Sequence, residues 1–288
     1  MSGEEQKIGF PVIPPDRQDD LHNPDFADSA DLVLFVAGNQ FMVMDELIGA
    51  FQEEHVDVRK IFYETLPPGL ELKQILAGGA IFRDKVIDVV PDVYASVSER
   101  AMERLEKDRF ITRGDYFLYL HNRIVLMVPE GNPAKIVSVA DLEREDVRIS
   151  QPNPEYEDIA LYIMDMYRQA GGERLVHRIM EEKRAAGTTI MTVVHHRETP
   201  LRIMKRTVDV GPVWATEVMH ARRSNLAVDM VEPGEDMDQR DKINYYICRL
   251  KDATNSKNAA KFLDFIKSAR AQGIYETHGF VSHFETSS

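Results

Sequence analysis

The chain has 288 residues, 43% of them hydrophobic and 29% charged, with a formal net charge of -13 at neutral pH. That length accommodates two lobes of ordinary size or one large α/β domain, and the acid excess excludes a nucleic-acid footprint, which needs clustered Lys and Arg. No apolar run approaches the roughly 18 residues needed to cross a bilayer, so membrane insertion is not expected. The single cysteine, Cys248, leaves neither an intrachain disulfide nor a cysteine-based metal cluster.

Residues 1–20 lack the basic start and apolar centre of a secretory signal. The chain therefore reads as periplasmic or otherwise extracytoplasmic if a leader has been removed, and as cytoplasmic if Met1 is the native start. Residues 1–30 carry Pro11, Pro14, Pro15 and Pro24 among many acids without periodicity, which predicts an extended arm lying on the surface or partly disordered.

The ordered pattern begins with a continuous apolar run at 32–37, of buried-strand length, followed by the small-residue turn Ala37-Gly38-Asn39. Met44, Leu47, Ile48 and Phe51 then repeat at i, i+3, i+4 and i+7, one face of a helix. Residues 58–65 read as a second strand, broken by Leu66-Pro67-Pro68-Gly69 and followed by a helix over 70–78. Residues 89–96 give a third strand, with Ser98 as N-cap of a helix over 99–109. Alternation at this spacing predicts a parallel sheet with helices on its faces.

A strand over 123–128 ends at Pro129, and further strands follow at 146–151, 188–194, 208–214 and 225–231. Helices are predicted between them over 158–170, 173–186 and 200–206. A strand at 243–250 contains Cys248, read as a buried and unreactive thiol, and the chain closes in a helix whose Phe262, Phe265, Ile266 and Ala269 share a face.

The pieces Ala37-Gly38-Asn39, Gln74-Ile75-Leu76-Ala77-Gly78, Asp92-Val93-Tyr94-Ala95-Ser96 and residues 122–129 carry a likeness. Val139-Ala140-Asp141-Leu142, Pro154-Glu155, Val208-Asp209-Val210-Gly211, Ala259-Ala260-Lys261-Phe262-Leu263 and Gly279-Phe280 continue it. In this order they resemble the type II periplasmic solute-binding proteins, in particular the molybdate- and tungstate-binding branch, over residues 31 to 282. The resemblance implies an α/β chain of two Rossmann-like lobes joined by hinge strands: an arm at 1–30, a first lobe at 31–121 plus 245–288, and a second at 122–244. It also implies a non-enzymatic role, delivery of a small inorganic solute, gripped between the lobes, to an ABC permease.

Carried over by position, the resemblance puts ligand contacts at Asn39, at Gly69, at Ile159 with Asp158 beside it, at Val194 and His195, and at Trp214 where relatives have a tyrosine. The hydroxyls of the usual oxyanion set are missing. Groups able to ligate a cation stand nearby instead: His195, His196 and Glu198 before Pro200, Glu157 and Asp158 at a second turn, and Glu64 close to a third. With Thr199 as N-cap and Pro200 at the first helical position, both histidines lie in the loop. Imidazole with carboxylate suits zinc, nickel, cobalt or iron, so a divalent transition metal is the favoured ligand and no resident cofactor is expected. Molybdate or tungstate completed by acidic side chains is the second expectation, with Arg197 either paired to Glu198 or receiving an anion's oxygen. Two other readings keep the same residues: a ligand-sensing or metal-handling accessory protein, and a metal-dependent hydrolase using His195, His196 and Glu198. The hydrolase lacks both H-E-x-x-H and G-x-S-x-G spacing.

Overall fold

The computed structural model describes residues 9–155, 157, 159–193 and 198–284. Its strands are β1 (Val12–Ile13), β2 (Leu21–His22), β3 (Leu32–Val36), β4 (Ile61–Glu64), β5 (Ala80–Phe82), β6 (Lys85–Ile87), β7 (Val93–Ser96) and β8 (Tyr116–His121). The series continues with β9 (Ile124–Pro129), β10 (Ile149–Gln151), β11 (Thr189–Met191), β12 (Gly211–Trp214), β13 (Val228–Val231), β14 (Asn244–Arg249) and β15 (Val281–Ser282). The helices are α1 (Phe41–Glu54), α2 (Pro68–Ala77), α3 (Glu99–Lys107), α4 (Ile159–His177), α5 (Lys183–Ala185), α6 (Glu198–Met204), α7 (Ala215–Arg223), α8 (Ser256–Ile266) and α9 (Ala269–Thr277).

Two compact units partition the chain. The first comprises residues 1–120, 244–277 and 282–288, and the second residues 121–243 and 278–281.

In the first unit a seven-stranded sheet runs in the order β15-β8-β14-β7-β3-β4-β2. β3 is parallel to both β4 and β7, as predicted for a strand whose five residues are all apolar and buried. β14 is antiparallel to β7, and β2 antiparallel to β4, so the sheet is mixed rather than purely parallel. Phe35, Phe62, Ile75, Tyr94, Met102, Leu105 and Cys248 form one packed cluster with it. α1 buries Val43, Met44, Leu47, Ile48 and Phe51, and the Phe51 ring meets Phe262 edge-on at 5.2 Å and Phe265 at 5.5 Å.

The described part of the N-terminal arm departs from expectation. It supplies β1, parallel to β5, and β2, the edge of the main sheet, joined by short 3-10 turns at Pro15–Asp20 and Pro24–Ser29. Its prolines sit where a sheet edge tolerates them, at the starts of turns and beside two-residue strands. The short β5–β6 hairpin and β8 are also additions to the sequence reading.

In the second unit β9 lies between β12 and β13, antiparallel to both, while β10 and β11 pair in parallel. A parallel bridge from Ile149 to Val210 links the two groups. Val125, Met127, Ile203, Val208, Val213 and Val218 pack together around them. The helices predicted at 158–170 and 173–186 form one run. α4 passes through Gly172 at φ 67, a conformation glycine adopts without strain, and continues by a π-turn at Arg178–Glu182 into α5. α7, which follows β12 directly, was not anticipated. Among the described residues no helix is long and apolar enough to cross a membrane.

Candidate functional site

In the first unit the parallel strands β3 and β4 each end in a turn that opens a helix, where backbone N–H groups lack intrahelical partners. The turn after β3 enters a 3-10 segment, Gly38–Gln40, and then α1. The Gln40 side-chain oxygen Oε1 accepts the hydroxyls of Tyr119 at 2.9 Å and Tyr275 at 3.2 Å. The Asn39 amide nitrogen donates to the Tyr245 hydroxyl, and Asn39 Oδ1 is buried without a hydrogen-bond partner among the described residues. Three tyrosines thus fix the polar side chains of this turn.

The second turn packs on the first. A Cβ on Gly38 would stand 2.7 Å from the Thr65 carbonyl oxygen, so only glycine allows the approach. Thr65 is braced by the arm: its N–H donates to the Asp20 carbonyl at 2.9 Å, and its hydroxyl meets His22 Nε2 at 3.1 Å, with the His22 ring stacked on Tyr63 at 4.1 Å. Gly69 is exposed in the first turn of α2, directly after Pro68, whose carbonyl oxygen accepts the Tyr94 hydroxyl at 3.0 Å. Pro67 and Pro68 bring no donors to this turn. Glu64, a candidate metal ligand, is 0% exposed and its Oε1 accepts the Gln74 amide at 3.0 Å. Burial raises its carboxyl to about 8. The structure turns it into the interior of this unit instead of bringing it to the surface that carries Gly69.

In the second unit Ile159 opens α4 and is 2% exposed, so the backbone N–H is what it can offer. Glu157, just before it, closes the turn after β10: its Oε1 accepts the Asn153 N–H at 3.2 Å and the Thr192 hydroxyl. Asn153 N–H also donates to Thr192 Oγ1 at 3.0 Å, which ties the ends of β10 and β11 together.

Glu198 lies inside α6, which starts two residues before the predicted first position at Pro200. Its Oε1 accepts the Val193 N–H at 2.8 Å and its Oε2 the Arg202 guanidinium at 2.7 Å. Arg202 further donates to the carbonyls of Ile190 and Met191, both at 2.9 Å, and to Ser150 Oγ at 3.1 Å. One side chain therefore anchors both β11 and the start of α6. Sequence reasoning passed over Arg202, although its i+4 spacing from Glu198 is the ordinary helical ion-pair signal. Trp214 ends β12 at 5% exposure, with the Tyr162 ring 6.2 Å away. Asp158, Val194, His195, His196 and Arg197 lie outside the described residues.

The structure brings Glu157 and Thr192 together, and Glu198 and Arg202, but among the described residues no group of three or more His, Cys, Asp or Glu side chains could hold a metal ion. What it provides most plainly is a series of strand-to-helix turns. Cys248 is buried in β14, and burial pushes its thiol well above the usual range.

Residues 32–281 match the bacterial extracellular solute-binding protein family. A relative is YvgL of Bacillus subtilis (strain 168), a presumed ABC transporter substrate-binding lipoprotein, 25% identical over 195 residues that cover 66% of this chain and 67% of YvgL. Among solved structures, the substrate-binding domain of a presumed molybdenum ABC transporter from Clostridium difficile superposes with a TM-score of 0.67 at 17% identity, covering 87% of this chain and 97% of that one. The sulfate-binding protein SubI from Mycobacterium tuberculosis H37Rv gives a TM-score of 0.68 at 17% identity, covering 88% and 87%. At such identities the structures speak for the fold alone, the mixed α/β fold of type II periplasmic binding proteins. The chain belongs to the bacterial extracellular solute-binding protein family, whose role is to bind a solute for transport rather than to catalyse a reaction.

Proposed function

We propose that the solute is a small oxyanion of the molybdate, tungstate or sulfate class, received by backbone N–H groups at the strand-to-helix turns, and that the protein presents it to its ABC permease outside the cytoplasm. The observation that carries this reading is the commitment of the described carboxylates. Glu157 and Glu198 already accept two protein donors each, and Glu64 is enclosed. A cation would compete with those donors for the carboxylate lone pairs, whereas an oxyanion needs only donors and leaves them in place.

Asn39, Gly69, Ile159, Val194 and Trp214 are the positions assigned to that ligand. The names of two structural relatives, the substrate-binding domain of a molybdenum ABC transporter and a sulfate-binding protein, support the same class, while another relative is named as iron-bound. The extracytoplasmic setting is supported by the family's description and by the lipoprotein name of YvgL. A transition-metal site would instead rest on His195, His196 and Asp158.

Isothermal titration calorimetry with molybdate, tungstate, sulfate, zinc and nickel, on protein freed of metal by a chelator, tests the choice. Binding of one of the oxyanions in the presence of chelator is expected. Tight zinc or nickel binding that is lost in His195→Ala, with no heat from any oxyanion, would overturn it.

A further inference from the structure

Beneath the second turn of the first unit lies a pair of acids with no counter-ion among the described residues. Glu64 ends β4 and Glu71 lies in the first turn of α2, and both are 0% exposed. Glu64 Oε1 accepts the Gln74 amide at 3.0 Å, and Glu71 Oε1 accepts the Leu66 N–H at 3.1 Å. The remaining oxygens, Glu64 Oε2, Glu71 Oε2 and Gln74 Oε1, are buried and have no hydrogen-bond partner among the described residues.

The surrounding charges do not help. Glu64 and Glu71 repel each other, and Asp20, from the 3-10 turn before β2, adds a further negative charge against Glu71. Asp20 has its own cation, Arg17, at 3.2 Å. Tyr94 of β7 is the other titratable neighbour of Glu71, and its hydroxyl is already given to the Pro68 carbonyl. Neither glutamate has an ion-pair partner among the described residues. His22 of the edge strand β2 and Tyr63 of its neighbour β4 stack on each other, and the Tyr63 hydroxyl donates to Asp45 at 2.9 Å.

Two anions and an amide oxygen, all acceptors, cannot share a dry interior without donors. A protonated carboxyl is both donor and acceptor. The Gln74 amide already donates to one oxygen of Glu64. A proton on the other lets the acid donate back to Gln74 Oε1, closing a two-bond ring that uses two of the three orphaned atoms.

We propose that Glu64 and Glu71 form a buried acid pair that holds its protons at neutral pH, joins Gln74 through an acid–amide ring, and releases the turn of residues 66–69 when those protons are lost in alkaline solution. The coupling is direct, because Glu71 holds the Leu66 N–H at the head of that turn and Glu64 ends the strand that leads into it. Burial raises both carboxyls, Glu64 to about 8, in agreement with this arrangement.

Infrared spectroscopy of the whole protein at pH 7 tests it directly, since ordinary Asp and Glu are ionised there. The carbonyl stretch of a neutral carboxylic acid is expected in the native chain, weakened in Glu64→Gln and abolished in Glu64→Gln with Glu71→Gln. Glu64→Gln keeps the ring as an amide–amide pair and so should fold. Urea unfolding supplies the second readout. Between about pH 4.5 and 8 the folded state holds a proton on Glu64 that the unfolded state has lost, so stability falls as pH rises, by about tenfold in the unfolding constant per pH unit for this group. That share of the slope is expected to vanish in Glu64→Gln. Absence of the acid band at pH 7, an unchanged slope in Glu64→Gln, or stabilisation by calcium or magnesium that a chelator removes would each overturn the proposal.

Discussion

Arg202→Met separates the loop-anchoring role of the guanidinium from its bulk. The arginine side chain is 15% exposed and makes four hydrogen bonds, to Glu198, Ile190, Met191 and Ser150. Methionine keeps most of the apolar stem, so little cavity is left. The partly buried ion pair to Glu198 is worth about 1 to 2 kcal/mol, and each carbonyl that loses its donor costs about 1 kcal/mol. The sum is about 3 to 4 kcal/mol, between a hundredfold and a thousandfold in the unfolding equilibrium. Trp214 is the sole tryptophan and lies in the same unit as Arg202, so urea unfolding followed by its fluorescence reports on the right part of the chain. A double-mutant cycle with Glu198→Gln should show coupling of about 1 kcal/mol or more between the two sites. A loss below about 1 kcal/mol in Arg202→Met would refute the reasoning, because the ends of β11 and α6 would then be held by other contacts.

Gly38→Ala places a methyl 2.7 Å from the Thr65 carbonyl, and is expected to cost about 1 to 3 kcal/mol in urea unfolding followed by circular dichroism; a neutral result would mean that the two turns are free to separate. Asp92→Ala should cost about 3 kcal/mol or more by calorimetry, since its carboxylate accepts the N–H groups of Val33 and Asn255, both at 2.8 Å, and the Asn255 amide at 3.0 Å. Asp92→Asn should recover part of that loss, and equal stability of the two variants would remove the carboxylate from the account. Cys248 should not react with a thiol-titrating disulfide reagent in the native protein and should yield one thiol per chain in urea; rapid native reaction would contradict its burial.

β3 and α1 were legible because each states its environment in its own pattern: a continuous apolar run for a strand buried on both faces, and a 3.6-residue period for a helix with one buried side. The burial of Cys248 followed from the same reasoning. Strand direction is not written in local pattern, so the antiparallel β12 and β13 flanking β9, and β14 beside β7, could not be read from spacing alone. β1 and β2 are two residues each, too short for any period to show.

At the candidate site, the backbone turns were legible and the roles of the side chains much less so. Glu198 is the instructive case. Placing Pro200 first in its helix left the carboxylate free in a loop, whereas the observed start at Glu198 puts it in register with Arg202 and within reach of Val193. A shift of two residues at a helix boundary thus changed the apparent chemistry from metal ligation to an internal clasp. Glu64 reads in sequence as the last residue of a strand near a turn, but whether such a residue points outward depends on which sheet face is covered, a tertiary property.

The position of β14 in the first unit bears on biosynthesis. It is laid between β8 and β7, yet the ribosome reaches it only after residues 121–243 have been made. Until then the nascent sheet has a gap: β7 ends in an open hydrogen-bonding edge beside Val93 and Ala95, and β8 has no neighbour to join it to β7. Open strand edges recruit other chains. Translation arrest or a premature stop upstream of residue 244 would therefore release an aggregation-prone fragment, and holdase chaperones would find their natural target in the long interval before the last strand of that gap emerges.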